Sequence, residues 1–464
     1  MVKQNLPETT LDQLTALTAL DGRYRAKIQD LATFFSEAAL IKIRIEIEAK
    51  YLTALSEAGV TRKLSSEEKN YLTSLPSQIS LKEAHEVKNL EQETRHDVKA
   101  MERFLRKALE QTSLSDLVEM IHFGLTSSDI NNIATNLQLV RASQEIMIPA
   151  LEQIINKLSE MANETKDVAM LARTHGQAAV PTTLGKEIAV FVSRLNKQIG
   201  KLRNAKLTGK LNGAVGNYNA LQTAQPDIDW IKFSEDFIKS LGLEPNLITT
   251  QINNYDDVAE YMQIYQRVNN VITSLDQDIW RYISDHWFVQ EAKEEEVGSS
   301  TMPQKVNPID FENSEGNLGL ANALFEHMAR KLPISRLQRD LSDTTVARNY
   351  GTAFGYCLVA YESTLTGLSR IKPNLEQIEK DLNADWSILS EAVQTILRKS
   401  GVSDPYSMVK DLVRGKKLTE EDYKKFVNEL EIDEKIKDEL LKLTLSSYTG
   451  LAKELTEKAI QGLK

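Results

Sequence analysis

The stretch VAEYMQIYQRVNNVITSLDQDIWRYISDHWFV, residues 258–289, decides the fold. Its apolar face reads Val258, Tyr261, Tyr265, Val268, Ile272, Leu275, Ile279 and Tyr282, and the same spacing runs on through His286 and Val289. Intervals of three and four alternate without a break, as on one face of a helix. At 1.5 Å per residue such a helix is roughly 45 Å long. His286 falls on an apolar position and reads as a satisfied core histidine. A second seam runs through Ile130, Ile133, Leu137, Val140, Met147, Leu151, Ile154, Leu158 and Met161, a seven-residue repeat. Pro149 lies inside it and predicts a kink, because proline removes a helical hydrogen bond. Helices this long belong in a bundle of several. The expectation is an all-α protein. The seams are longer than one chain's helices readily cover, which predicts a homotetramer with paired two-fold symmetry.

Working outward, Ile41-Lys42-Ile43-Arg44-Ile45-Glu46-Ile47-Glu48 alternates with the period of a strand. It sits in a run from Asp30 to Ser56 without Gly or Pro, far longer than an ordinary strand, and so reads as helix. Three helical domains are expected: 1–119, 120–362 with the long-helix bundle, and 363–464. Ser65-x-x-Glu68 is a capping box, Asp404-Pro405 and Thr419-x-x-Asp422 open helices, and Gly415 closes one.

Gly and Pro together number 31 in 464 residues, which favours few, long elements. The net charge of -10 comes with no dense basic stripe, which argues against a nucleic-acid partner. The single cysteine, Cys357, excludes an internal disulfide and reads as a buried, inert thiol. No metal-ligand Cys/His spacing is present. The start of the chain has no signal-peptide pattern and no apolar run reaches 18 residues, so the expectation is a cytoplasmic protein without a membrane partner.

The densest chemical cluster is Gly298-Ser299-Ser300-Thr301-Met302-Pro303-Gln304-Lys305-Val306-Asn307-Pro308. It cannot continue a helix, and it offers a cation and free N–H groups that could hold an oxyanion. The same composition also suits a surface connector. Thr126-Ser127-Ser128-Asp129 precedes a long helix, where capping and anion binding are compatible roles. His175 lies in a break between helices, His96 is flanked by Arg95 and Asp97, and His122 lies four residues before Thr126.

The Ser-rich loop resembles the GSSxMPxKxNP signature of the fumarate-releasing lyases. Other segments resemble the adenylosuccinate lyase family in its longer bacterial form. They are Arg173-Thr174-His175-Gly176-Gln177, Thr94-Arg95-His96-Asp97-Val98, Asp21-Gly22-Arg23-Tyr24, Lys210 to Tyr218, and Gln338-Arg339-Asp340-Leu341-Ser342-Asp343. Two departures stand out. Gln304 replaces a common His, as in many argininosuccinate lyases, and Asn254-Tyr255 replaces the Pro-His of the pattern.

The resemblance implies β-elimination of fumarate from adenylosuccinate and from SAICAR, without metal or organic cofactor. It makes His175 the general acid, Ser299 the base on a mobile loop, Lys305 the stabiliser of the carbanion, and Glu312 the group that orients His175. Arg23, Tyr24, Arg339, Ser342 and Arg348 would hold the nucleotide end. Gln251, Asn307, Thr126 and Ser127 would hold the succinyl end. Arg95, His96, Asp97, Ser300, Asn313 and Thr344 complete the implied substrate-binding set. The central bundle would be shared between subunits, each active site drawing on several chains. The alternatives are an argininosuccinate lyase, suggested by Gln304, and an inactive scaffold of the same fold.

Overall fold

A computed structural model describes residues 12–291, 302, 305–413 and 417–462. The described chain is all-α apart from short two-stranded sheets. The helices that matter for the site are α1 (Glu37–Glu57), α2 (Asp97–Glu110), α3 (Ser127–Ala142), α4 (Ile148–Glu164), α5 (Leu184–Asn204), α6 (Asp256–Ser284), α7 (Ile309–Lys331), α8 (Ser342–Ala347) and α9 (Tyr350–Ser369). Two compact units emerge, each built from separated stretches of chain. The first takes residues 1–150, 199–269 and 316–362; the second takes 151–198, 270–315 and 363–464. The unit boundaries fall within α4, α5, α6, α7 and α9.

The alternation at 41–48 is helical, and its cause is visible. Ile41, Ile43, Ile45 and Ile47 are all buried, and so are Arg44 and Glu48 in the same stretch. A helix covered on nearly every side needs no polar stripe, so its sequence period carries little information. The capping boxes at Ser65 and Thr419 form as expected, and a helix begins at Pro405. Gly415 lies outside the described residues.

Both seams are helical. Between α3 and α4 the chain passes through a π turn, Ser143–Met147, just before Pro149. A π turn is a usual way to absorb an interruption of the α ladder. The seam residues from Ile130 to Leu158 and from Val258 to Ile279 are almost wholly buried within the single chain, Val140 being the partial exception. Seam length therefore does not itself call for a partner subunit. Helix α6 ends at Ser284, short of the extrapolated pattern. His286 is exposed in the following turn with φ +60°, and is not a core histidine. Val289 belongs to strand Phe288–Gln290, which pairs antiparallel with Ile371–Pro373.

Two polar knots tie α6, α7 and α9 together. In the first unit, Asn269 Nδ2 donates to Asn322 Oδ1 (2.9 Å), and Tyr361 Oη donates to Asn269 Oδ1 (2.8 Å). Cys357 is buried beside them, and burial pushes its thiol up to about 12, so it is inert at neutral pH. In the second unit, Thr364 Oγ1 donates to Asp276 Oδ1 (3.0 Å) and lies 2.8 Å from Ser314 Oγ. Asp276 Oδ2 has no partner among the described residues.

Burial pushes the Asp276 carboxyl up to about 8. The folded state therefore keeps a proton that the unfolded chain releases near pH 4. Stability contributed by this proton is complete below about pH 4 and is lost as the pH rises towards 8. Asp276→Asn should accordingly gain stability relative to the parent across that window. Melting temperatures measured from pH 5 to pH 8 check this, and a constant difference between the two proteins would refute it.

Candidate active site

The first unit carries most of the expected binding residues, and one ion pair organises them. Asp129 and Lys210 are 0% exposed, with Lys210 Nζ 2.8 Å from Asp129 Oδ1. Asp129 also accepts from Thr126 N (2.8 Å), Asn212 N (3.1 Å) and Gly213 N (3.2 Å). Lys210 Nζ donates onward to the carbonyls of Gly213 (2.8 Å) and Gln251 (2.9 Å). Burial pulls the ammonium below its usual range, against the opposing pull of Asp129. A desolvated pair persists where its remaining donors and acceptors are satisfied, as here. The start of α3, the loop after Lys210 and the segment at Gln251 are thereby locked together. Gly216 (φ +78°) is required in that loop, since a Cβ would lie 2.2 Å from the Thr249 carbonyl.

At the start of α2, His96 is the N-cap. Its Nδ1 accepts from Lys99 N (3.2 Å), so in the neutral ring Nε2 carries the proton. That nitrogen lies 3.4 Å from Ser127 Oγ, and half of the His96 side chain is exposed. Asp97 next to it is held by Arg44, whose Nη2 donates to Oδ2 (2.7 Å). Burial raises this carboxyl, but the Arg44 charge and hydrogen bond prevail and hold it below the usual range. His122 is placed in a turn with φ +59°, not in a helix, and its Nδ1 lies 2.6 Å from Glu48 Oε1.

Arg339 is clasped from two sides: Nη1 donates to Gln251 Oε1 (3.4 Å) and Nη2 to Thr344 Oγ1 (3.5 Å). Ser342 donates its hydroxyl to Asp340, whose carboxyl this bond brings down to about 2. Arg339, Thr344 and Arg348 line a cavity of about 450 Å³ together with Asp97 and Arg44. Arg44 Nε, Arg339 Nε, Tyr350 Oη and Asn131 Oδ1 all belong to residues lining this cavity. Each is buried and without a partner among the described residues. Buried donors and acceptors left unmatched are costly, so the lining of this cavity suits a polar ligand. Arg23 and Arg95 are exposed, and Tyr24 is half-buried.

The second unit carries His175, Lys305, Asn307, Glu312 and Asn313. His175 sits at the tip of a hairpin, β1 (Ala169–Thr174) and β2 (Gln177–Thr183), not in a plain break between helices. His175 (φ +53°) and Gly176 (φ +73°) are the two central residues, both with the positive φ that a type I′ turn requires. The hairpin is planted by Leu171, buried in one cluster with Leu382, Trp386 and Leu389. Arg173 braces it by stacking 5.3 Å over the Trp287 ring. The imidazole is therefore exposed on a rigid support, and it makes no hydrogen bond among the described residues. Glu312 is not bonded to it; Glu312 Oε1 accepts from Trp280 Nε1 (3.1 Å). Asn313 Oδ1 accepts from Ser363 Oγ (2.9 Å). Lys305 is exposed and Asn307 half-buried, while Ser299, Ser300 and Gln304 lie outside the described residues.

Sequence reasoning did not single out Arg44, Lys210, Asn131 or Tyr350 as organising or lining residues. Arg44 carried a signal, a charge in the middle of an isoleucine run.

The family described as Lyase matches residues 22–322, and the one described as Adenylosuccinate lyase C-terminal matches residues 335–449. An adenylosuccinate lyase of Haemophilus influenzae is 46% identical over 452 residues, covering 97% of this chain and 99% of the relative. Those of Escherichia coli and Dictyostelium discoideum are 43% identical over 446 residues and 45% over 454. They cover 95% of this chain each, and 98% and 97% of themselves. The chain belongs to the adenylosuccinate lyase family. The alternative family, which rested on Gln304 alone, is set aside by these matches. In fold the chain is similar to a 3-carboxy-cis,cis-muconate lactonizing enzyme of Pseudomonas putida (TM-score 0.74, 19% identity, covering 95% of this chain and 98% of that one). It is also similar to a fumarate lyase of Mesorhizobium (TM-score 0.74, 18% identity, covering 94% and 98%).

Lys210→Met should be destabilised by about 3–5 kcal/mol, because Asp129 is left as an unpaired buried charge. The double variant Asp129→Asn with Lys210→Met should recover much of that loss. Thermal melts of the parent and both variants test the pair, and a single variant as stable as the parent would show that the pair organises nothing.

Proposed function

We propose that the chain eliminates fumarate from adenylosuccinate, leaving AMP, and from SAICAR, leaving AICAR, in purine nucleotide biosynthesis. The observation that carries this reading is Arg339. Its guanidinium is fixed by Gln251 and Thr344, its buried Nε is unmatched among the described residues, and Arg348 lines the same cavity of about 450 Å³. Two guanidinium groups lining one cavity suit a phosphate, which argininosuccinate lacks. A cytoplasmic location accompanies this reading.

The chemistry follows from what each group can do. Ser299 takes the proton from the carbon next to the C–N bond. The electron pair is held on the neighbouring carboxylate as a dianion, stabilised by Lys305 and loop N–H groups. The C–N bond then breaks to give fumarate, and His175 protonates the leaving nitrogen. Glu312 would orient His175 for that transfer. Thr126, Ser127, Gln251 and Asn307 would bind the succinyl carboxylates, and Arg23, Tyr24, Ser342 and Arg348 the phosphate end. Arg95, His96, Asp97, Ser300, Asn313 and Thr344 fill out the remaining contacts.

His175 stands exposed on its hairpin tip with no partner among the described residues, and Glu312 is engaged by Trp280. Both facts support a homotetramer in which a site takes its acid from a neighbouring subunit. Trp280, Ile309 and Leu320, on α6 and α7, are 43%, 49% and 51% exposed and suit such a partner.

Incubation with adenylosuccinate should release fumarate, and incubation with argininosuccinate should not; the reverse result would overturn the reading. Ser299→Ala and His175→Ala should each lower turnover at least about a hundredfold while remaining folded by circular dichroism. Nearly full activity in Ser299→Ala would assign the base elsewhere.

Subunit sharing has its own test. Subunits carrying His175→Ala, mixed and exchanged with subunits carrying Ser299→Ala, should restore about one site in four by random assembly. Light scattering must show mixed tetramers, and mixed tetramers without recovered activity would refute sharing.

A further inference from the structure

Tyr255 stands where the family pattern places a histidine, and its backbone is strained. Its φ is +62°, in the left-handed region that bulky side chains rarely enter. Such strain persists only where the surroundings over-determine the residue. Tyr255 is buried, and its hydroxyl donates to Asp343 Oδ2 (3.0 Å), itself on a buried side chain. Burial and the Asp343 charge hold that hydroxyl well above its usual range, so it remains a donor.

The bond belongs to a closed circuit. Asp343 Oδ1 accepts from the Thr344 backbone N (2.7 Å) and hydroxyl (3.3 Å). With its proton committed to Asp343, Thr344 Oγ1 is left as the acceptor for Arg339 Nη2 (3.5 Å). Arg339 Nη1 returns to Gln251, four residues before Tyr255 on the same segment (3.4 Å). The segment is anchored between those two points by Asn253, whose Nδ2 donates to Thr208 Oγ1 (2.9 Å) and whose Oδ1 accepts from Asn246 Nδ2 (2.8 Å). Both ends of residues 251–255 thus grip the stretch 339–344, and among the described residues Nε is the one nitrogen of the Arg339 guanidinium left unmatched.

We propose that Tyr255 is a positioning residue that, through Asp343 and Thr344, sets the Arg339 guanidinium for the anionic end of the nucleotide substrate. The proposal rests on the lyase reading of the same site. Tyr255 touches no reacting atom in it; it acts on binding and leaves the elimination step alone.

Tyr255→Phe removes one oxygen and no other contact. It should raise KM for adenylosuccinate about tenfold, the scale of one hydrogen bond to a charged group, with kcat within about twofold of the parent. Tyr255→His, which keeps a donor, should fall between the two. In a double-mutant cycle, Tyr255→Phe should add little to Thr344→Val, because both cut the same relay. Unchanged KM in Tyr255→Phe, a loss confined to kcat, or full additivity with Thr344→Val would each overturn the proposal. A parent chain that releases no fumarate would sink the lyase reading and leave this assignment to a binding measurement with AMP as the probe. Affinity weakened about tenfold in Tyr255→Phe would then support it, and equal affinity would refute it.

Discussion

Asp129 and Lys210 form an ion pair with no exposed surface on either side chain, and the binding half of the site hangs on it. Between them they take up donors or acceptors from the start of α3, from the loop after Lys210 and from the Gln251 segment. Burying two charges is expensive, and hydrophobic residues of similar size would often be no less stable. What an apolar pair could not do is aim. Each of its polar bonds has a direction, so segments distant in sequence meet in one arrangement. The same reasoning applies to Asn269 and Asp276 on α6, which pin that helix to α7 and α9 by polar contacts in otherwise apolar surroundings.

The long helices were legible in the sequence because their apolar spacing is strict over many turns. The pattern failed at its end, where Ser284 closes α6 while the letters still fit. His286 and Val289 match a heptad by coincidence, since a turn and a strand follow. The hairpin that presents His175 was not legible as strands. Its signal is the His-Gly pair at a two-residue turn, which is local and weak beside helical seams on either side.

The chemical residues were legible as motifs, and their partners were not. Arg339 and Gln251 stood out in segments far apart, but no spacing reveals that one clasps the other. Arg44 reads as a surface charge until the helix around it proves buried, and only then is it the counter-ion of Asp97. Motifs record which groups a reaction uses. The dielectric and the hydrogen bonds that tune those groups come from tertiary contacts.

The division of the chain into units that each draw on separated stretches bears on how the protein is made. The first unit needs residues up to 362, and the second needs residues from 151 to the end of the chain. Neither can close while only the early part of the polypeptide has left the ribosome. Contacts between stretches so distant in sequence also slow folding, because long loops must close before they are rewarded. Nascent chains therefore spend time with the first unit unfinished and part of its apolar surface uncovered, a condition that favours aggregation or the help of a chaperone. A gene cut at any single point between residues 151 and 362 would leave both units incomplete, so the middle of this architecture resists being shuffled into other proteins piece by piece.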